Sequence, residues 1–509
     1  MPESIISIMR FRLLAKSFKR RIKSLEQNAF LIGLLSLIWF LLRTGTKPTR
    51  AVYPCQRVAA ANSYLWFTIY VLPFLHSVSR KLLTMNLSRR KILVLSILAV
   101  ISVGSVISWR LYEMWSKPER EVVGLKLEGW NAKFQPSSDI FVVNGTRGGD
   151  GGIIELINLM GKHGLCFYKS QEEGENKGSD GLIARDDVVL IKVNSQWDQR
   201  GGTNTDLLKE LIQAILNHPD GFVGEIVVVD NGQAQYGSAG NGGSFSWDLS
   251  NAEDPSQSVG KVVSMFSGSH KVSAYLWDTI TTKQVKEYKD GDMEDGYVVN
   301  MTVNPRTGIM VSYPKFKTRF GTYISFKLGI WNPETQTYDS ERLKVINMPV
   351  LKTHRTYGVT ACVKHYMGVV SDKLTRSLGA RAHDTVGAGG MGTEMVETRF
   401  PVLNIIDAIW VNAVPRRGPR TPYEIATRVN VIAASTDPVA LDYWAAKYIL
   451  MKVAKLKGYS DLSSMDPDNT SSGSFGNWLT LSMNEIIRAG YQSTVDEDHM
   501  NVYVISPFS

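Results

Sequence analysis

Between Lys352 and His365 the chain gathers two amines, a guanidinium and two imidazoles: Lys352, His354, Arg355, Lys364 and His365, with Thr353 among them. Amines and guanidinium groups bind oxyanions. Imidazole transfers protons near neutral pH and ligates borderline metals when neutral. The cluster therefore suits a small anionic ligand, or a divalent metal where the histidines are uncharged. A further imidazole, His383, follows nineteen residues after Lys364.

These groups need a scaffold. Leu343–Met348 has the length and composition of a buried strand, and Pro349, which lacks a ladder donor, should stop it. A polar turn through Lys352, Thr353, His354 and Arg355 follows, and Gly358 opens an apolar-periodic stretch that reads as a helix to about Val370. A strand, a basic turn and a helix N-terminus then converge, where unpaired N–H groups favour an anion. Upstream, Asp187–Val193 and Glu225–Asp230 read as parallel strands joined through a helix at Thr205–Asn217, which places Asn194 and Asp230 at one sheet edge. Strands are also expected at Asp139–Asn144, Pro401–Ile409, Asn430–Ser435 and Asn501–Ser506. Asp437 and Pro438 give a helix cap and first turn. Alternation over Tyr297–Trp331 predicts an inserted antiparallel hairpin or meander at about 296–331. The expected fold is α/β: a mostly parallel central sheet with helices on both faces, preceded by N-terminal transmembrane helices.

The P-V-L-K-T-H run at Pro349–His354, G-V-T at Gly358–Thr360 and K-H-Y-M-G at Lys364–Gly368 resemble domain-of-unknown-function family 362. Four more stretches agree in order: Val188–Asn194, Glu225–Asp230, Leu403–Ile409 and Ser435–Asp442. The resemblance spans about 186–450, and it implies that Lys192 and Asn194 are ligand contacts, with Asp230, Lys352, Thr353 and Arg355 beside them. Over His354, Lys364 and His383 the order is also similar to that of nickel-pincer lactate racemases. That similarity implies an acid/base His354, a Lys364 that carries a cofactor or contacts an anion, and a metal-binding His383. His365 is a second metal candidate.

The 509 residues carry a formal charge of +9, unevenly placed. Residues 1–120 hold 19 Lys+Arg against 4 Asp+Glu, whereas the remainder holds 38 against 44. An acidic body argues against nucleic acid as a partner. Three cysteines, Cys55, Cys166 and Cys362, exclude an iron–sulfur cluster or thiolate zinc site supplied by this chain alone. Three apolar runs, Gln27–Leu42, Val58–Ser79 and Ile92–Trp109, are candidates for membrane spans, and the flanking Lys/Arg place the N-terminus in the cytoplasm. The run Ser88–Leu93 resembles a twin-arginine signal, with Met85 as an alternative start. The expected organisation is an anchor region over 1–114, a linker over 115–136 and a large domain over 137–509 outside the cytoplasm.

Two glycine motifs are weak. Asn144–Gly152 lacks the G-K-[ST] of a phosphate loop, and Gly387, Gly389 and Gly392 match G-x-G-x-x-G without a preceding apolar strand. Two functions stay open: an enzyme acting on a small anion with acid–base or racemase-like chemistry, or an exported binding or assembly protein that serves a redox partner.

Overall fold

The computed structural model describes residues 29–43, 54–71, 73, 122–197, 199–234, 247 and 257–508. The chain divides into two units, Met1–Glu119 and Arg120–Ser509. The first is helical over 29–43 and over Pro54–Trp66, which runs on as a π-helical turn, Phe67–Val71. Among the described residues no helix is long and apolar enough to cross a membrane. The expected spans at 27–42 and 58–79 are thus not supported where they are described. The third, Ile92–Trp109, lies outside the described residues, as do Met85 and the twin-arginine-like run.

The second unit is built on one ten-stranded sheet. Its strands are β1 (Ser138–Asn144), β2 (Val188–Lys192), β3 (Glu225–Asp230), β4 (Val272–Leu276), β5 (Leu343–Asn347), β6 (Val350–His354), β7 (Gly358–Thr360), β8 (Leu403–Asn412), β9 (Thr427–Ser435) and β10 (Met500–Ile505). The order is β10-β1-β9-β8-β5-β2-β3-β4, with β6 paired to β7 and β8. From β8 through β5, β2 and β3 to β4 every pairing is parallel, whereas β9 is antiparallel to both β1 and β8.

The unbroken apolar runs reflect cover on both faces. In β2, Val189 and Ile191 pack with the helices α1 (Gly152–Lys162), α2 (Thr205–Leu216) and α3 (Val259–Phe266). Val188 and Leu190 enter the opposite core. That second core receives α4 (Cys362–His365), α5 (Asp372–Ser377), α6 (Gly390–Glu397), α7 (Pro438–Ala445) and α8 (Phe475–Arg488). Strand period two puts Lys192 on the same side as Leu190, facing this second layer.

The meander is a separate five-stranded antiparallel sheet running from Gly296 to Asp339, eight residues beyond its expected end. Arg399 ties it to the main body: its guanidinium donates to the carbonyls of Phe326, Lys327, Ser340 and Leu343 at 2.8–3.0 Å. The expected linker is not loose where it is described. Trp130 exchanges backbone hydrogen bonds with Val502 at 3.0 and 2.7 Å, and the Val123 N–H donates to Arg428.

The central stretch departs from expectation in two places. Pro349 ends β5, but a second strand rather than a turn follows, because β8 is long enough to pair with β5 at Leu403 and Asn404 and with β6 at Asp407 and Asn412. Lys352, Thr353 and His354 therefore lie on a strand, and the turn is 355–357. Gly358 opens the return strand β7 instead of a helix. Its φ of +75° and the Ser464 carbonyl, 1.9 Å from where a Cβ would sit, require glycine.

Candidate functional site

The hairpin β6–β7 pairs Lys352 with Thr360, Thr353 with Val359 and His354 with Gly358. Alternation sends Lys352 and His354 to one face and Thr353 to the other. The first two line a buried cavity of about 280 Å³, joined there by Lys192, Asn194, Asp230, Lys364, His365 and His383. Thr353 does not line it, and its hydroxyl donates to the Val414 carbonyl at 2.8 Å. Arg355 sits exposed on the turn and is not part of the cavity wall. Of the ten residues singled out in the sequence, eight come together and these two fall outside.

Lys192 and Asp230 form a buried ion pair at 2.7 Å. The other oxygen of Asp230 accepts from the N–H and the hydroxyl of Ser195, each at 2.7 Å. The Asn194 side-chain oxygen accepts from the Val350 N–H at 2.8 Å, which fastens the start of β6 to the end of β2. Lys352 donates to the Gly201 carbonyl at 2.5 Å and has no carboxylate partner among the described residues. Burial pushes its ammonium down to about 7, with the Lys364 cation adding to the shift and Asp230 opposing it. Lys364 projects from α4, and its Nζ lies 5.6 Å from the centre of the Tyr357 ring. Burial pushes it down to about 8, against the attraction of Asp372.

The histidines divide by their partners. His354 Nδ1 accepts from the backbone N–H of Thr356 and of Tyr357, both at 3.1 Å. Its proton must then sit on Nε2, so the ring is fixed as a neutral donor. Burial, and then the Lys364 cation, hold it far below the usual imidazole range. His383 is pushed down to about 4 by burial and by Lys364; its ring lies edge-on to Tyr357 at 5.0 Å and 5.8 Å from the His354 ring. His365 Nδ1 meets the Asn347 side-chain oxygen at 2.7 Å, and its buried Nε2, near the Val193 carbonyl, makes no hydrogen bond of good geometry.

Four further lining residues, Asp372, Arg381, Gln233 and Gly368, had no strand-end signal. Asp372 accepts from the His383 N–H at 2.8 Å and pairs with Arg381 at 3.1 Å. The Asp372 N–H donates to the Gln233 side chain at 2.9 Å, while Gln233 Nε2 donates to the carbonyls of Met367 and Val370. Gly368 lies so close to the ion pair that a Cβ would fall 2.3 Å from Asp230 Oδ1 and 2.5 Å from Lys192 Nζ.

Two expectations about ligand groups need correction. The helix N-terminus in this stretch is not open to an anion. α4 has only four residues, and Asp442 accepts from its first two N–H groups, those of Cys362 and Val363, at 2.6 and 2.9 Å. The glycine turn before α1 is closed likewise, by Glu210 on the N–H groups of Gly151 and Ile153. The later glycine motif serves packing: Gly389 and Gly392 let α6 approach α8 at Leu481 and Ser482. Nor does the donor set fit a metal held by side chains, since among the described residues no three His, Cys, Asp or Glu groups are placed to hold one. His354 also presents an N–H where a ligand would need a lone pair. The metal roles of His383 and His365 thus gain no support from a side-chain cluster among the described residues.

Residues 340–447 match the family model described as Domain of unknown function (DUF362). The match takes in β5 to β9 and the hairpin with its lysines and histidines, but not β2 and β3, which contribute Lys192 and Asp230. No curated protein and no solved structure matches the chain.

Proposed function

For a chain that carries a domain of this family, we propose that the cavity binds a small anion and moves protons on it. One observation carries the reading. Four cationic side chains, Lys192, Lys352, Lys364 and Arg381, line the cavity against two carboxylates, Asp230 and Asp372. Both carboxylates are already paired, with Lys192 and Arg381. Lys352 and Lys364 are left as buried amines without a carboxylate partner among the described residues. Keeping them charged costs several kcal/mol unless a counter-charge joins them. A carboxylate or phosphate group supplies that charge, and its arrival returns the amine it pairs with toward the ammonium form. The neutral N–H of His354 then donates to the ligand, as an imidazole held neutral can polarise a carbonyl. His383, which carries no side-chain hydrogen bond among the described residues, is the base available to take a proton.

Isothermal titration with phosphate, sulfate, lactate and pyruvate tests this. Binding by at least one is expected, and Lys352→Met or Lys364→Met should weaken it by about 10- to 100-fold, the worth of one charge-assisted hydrogen bond. A folded protein that binds none of them at millimolar concentration would refute the reading. The alternative, an exported assembly protein serving a redox partner, expects no polar cavity at this hairpin, so the cavity supports the first.

Attachment to a membrane, with the large unit outside the cytoplasm, is proposed on sequence alone, from the Lys/Arg flanks and the run Ile92–Trp109. Alkaline extraction of native membranes and protease protection test it. Release of the intact chain by alkali would count against anchoring.

A further inference from the structure

We propose that Lys364 is a nucleophile that condenses with the carbonyl of a small carboxylate-bearing aldehyde or ketone, of the 2-oxo acid class, to form an imine inside the cavity. This rests on the anion-binding reading above and names its substrate class.

Three lysines reach the cavity, and their partners separate them. Lys192 is held by the Asp230 carboxylate at 2.7 Å and its side chain is fully buried, so its amine is not free to attack. Lys352 is turned onto the Gly201 carbonyl at 2.5 Å. Lys364 is buried and has no hydrogen bond or ion pair among the described residues; its Nζ lies 5.6 Å from the centre of the Tyr357 ring. A desolvated lysine beside other cationic groups is the usual setting for an imine-forming amine. Burial brings its ammonium down to about 8, which leaves a substantial neutral fraction near that pH.

The remaining groups suit the other end of the substrate. Lys352 is a cation for a carboxylate, and the His354 N–H is a donor for the carbonyl oxygen. In the reaction the Lys364 lone pair attacks the carbonyl carbon, a C–N bond forms and the C=O π pair moves to oxygen. Both amine protons then leave with that oxygen as water while C=N forms. Amine and carbonyl compound give imine and one water, with no oxidant or reductant.

The test uses the full chain with pyruvate and sodium cyanoborohydride, read by intact mass and peptide mapping. The expected result is one saturable adduct per chain, mapped to Lys364. Lactate and phosphate, which share the charge but lack the carbonyl, should suppress it, and acetone, which lacks the charge, should not form it. Lys364→Arg, which keeps the charge but has no nucleophilic amine, should lose the adduct. Mapping on the wild-type chain decides the matter even if that variant misfolds. Label on Lys352, or unsaturable label spread over surface lysines, overturns the proposal. So does the absence of any adduct when calorimetry shows that pyruvate binds, an outcome that leaves anion binding standing. Absence of binding by every anion removes both.

Discussion

Gly368 and Asp230 approach so closely that the backbone of one packs on the carboxylate of the other: a Cβ on Gly368 would lie 2.3 Å from Asp230 Oδ1. The Gly368 carbonyl also accepts from the Asn231 N–H at 3.1 Å, so the turn after α4 is held against the end of β3. Gly368→Ala should force the Lys192–Asp230 pair apart. The expected cost is about 1–3 kcal/mol, as for other overpacked sites. Urea unfolding measures it, and weakened phosphate binding should accompany it.

Asp230→Asn removes the charge opposite Lys192 while keeping the shape. The Lys192 and Asp230 side chains are 0 % and 4 % exposed, so the amine is left buried without its counter-charge. A loss of about 3–5 kcal/mol is expected. Part of that loss should return on adding an anion that binds the cavity, which thermal unfolding with and without phosphate would detect.

His354 is tested by two substitutions of different reach. In His354→Asn the side-chain oxygen can replace Nδ1 and keep the N–H groups of Thr356 and Tyr357 satisfied, but nothing replaces the Nε2–H. His354→Ala leaves both backbone donors without their partner. The alanine variant should lose about 1–3 kcal/mol of stability, whereas the asparagine variant should lose ligand affinity with little change in stability. Equal stability loss in both would show that the ring acts only through packing.

The lysines give a pH signature with a definite sign. Lys352 and Lys364 have folded values near 7 and 8, against 10.5 when unfolded. Between about pH 8 and 10 the unfolded chain holds more protons than the native one, so ligand-free stability should rise with pH there. Below that window, carboxyl groups raised by burial, Asp278 and Asp442 to about 7 and Asp187 to about 6, act with the opposite sign. From about pH 9 upward the Cys362 and Cys166 thiols, raised by burial, and then tyrosines such as Tyr168 at about 12, do so as well. Anion binding should show the converse, weakening above pH 8 and taking up protons. Calorimetry in buffers of different ionisation enthalpy counts those protons, and Lys364→Met should flatten both trends.

Much of the scaffold was legible because parallel strands covered on both faces leave long apolar runs. β2, β3 and the Asp437–Pro438 start of α7 stand where the sequence puts them, and Asp437 accepts from Val439 and Ala440 as a cap should. β4 was not legible, since Val272–Leu276 is short and mixed and gains its strand only by pairing with β3. The hairpin at Lys352–Thr360 was misread for a related reason. Pro349 is a true break, but β8 offers a second docking length that a local pattern cannot reveal. The cation cluster could be seen as a cluster. The second carboxylate, Asp372, and its partner Arg381 could not, because they sit in the first turn of a short helix and in the loop after it, with no periodic signal. Strand alternation would have excluded Thr353, had the stretch been recognised as a strand.

The caps supplied by Asp442 and Glu210 have one more consequence. Rigid main-chain amides, which would grip an oxyanion in a fixed orientation, are already spoken for by the protein itself. Recognition is left to the tips of long, jointed side chains that can follow guests of differing outline. Discrimination among guests should therefore depend on their charge and bulk more than on their handedness.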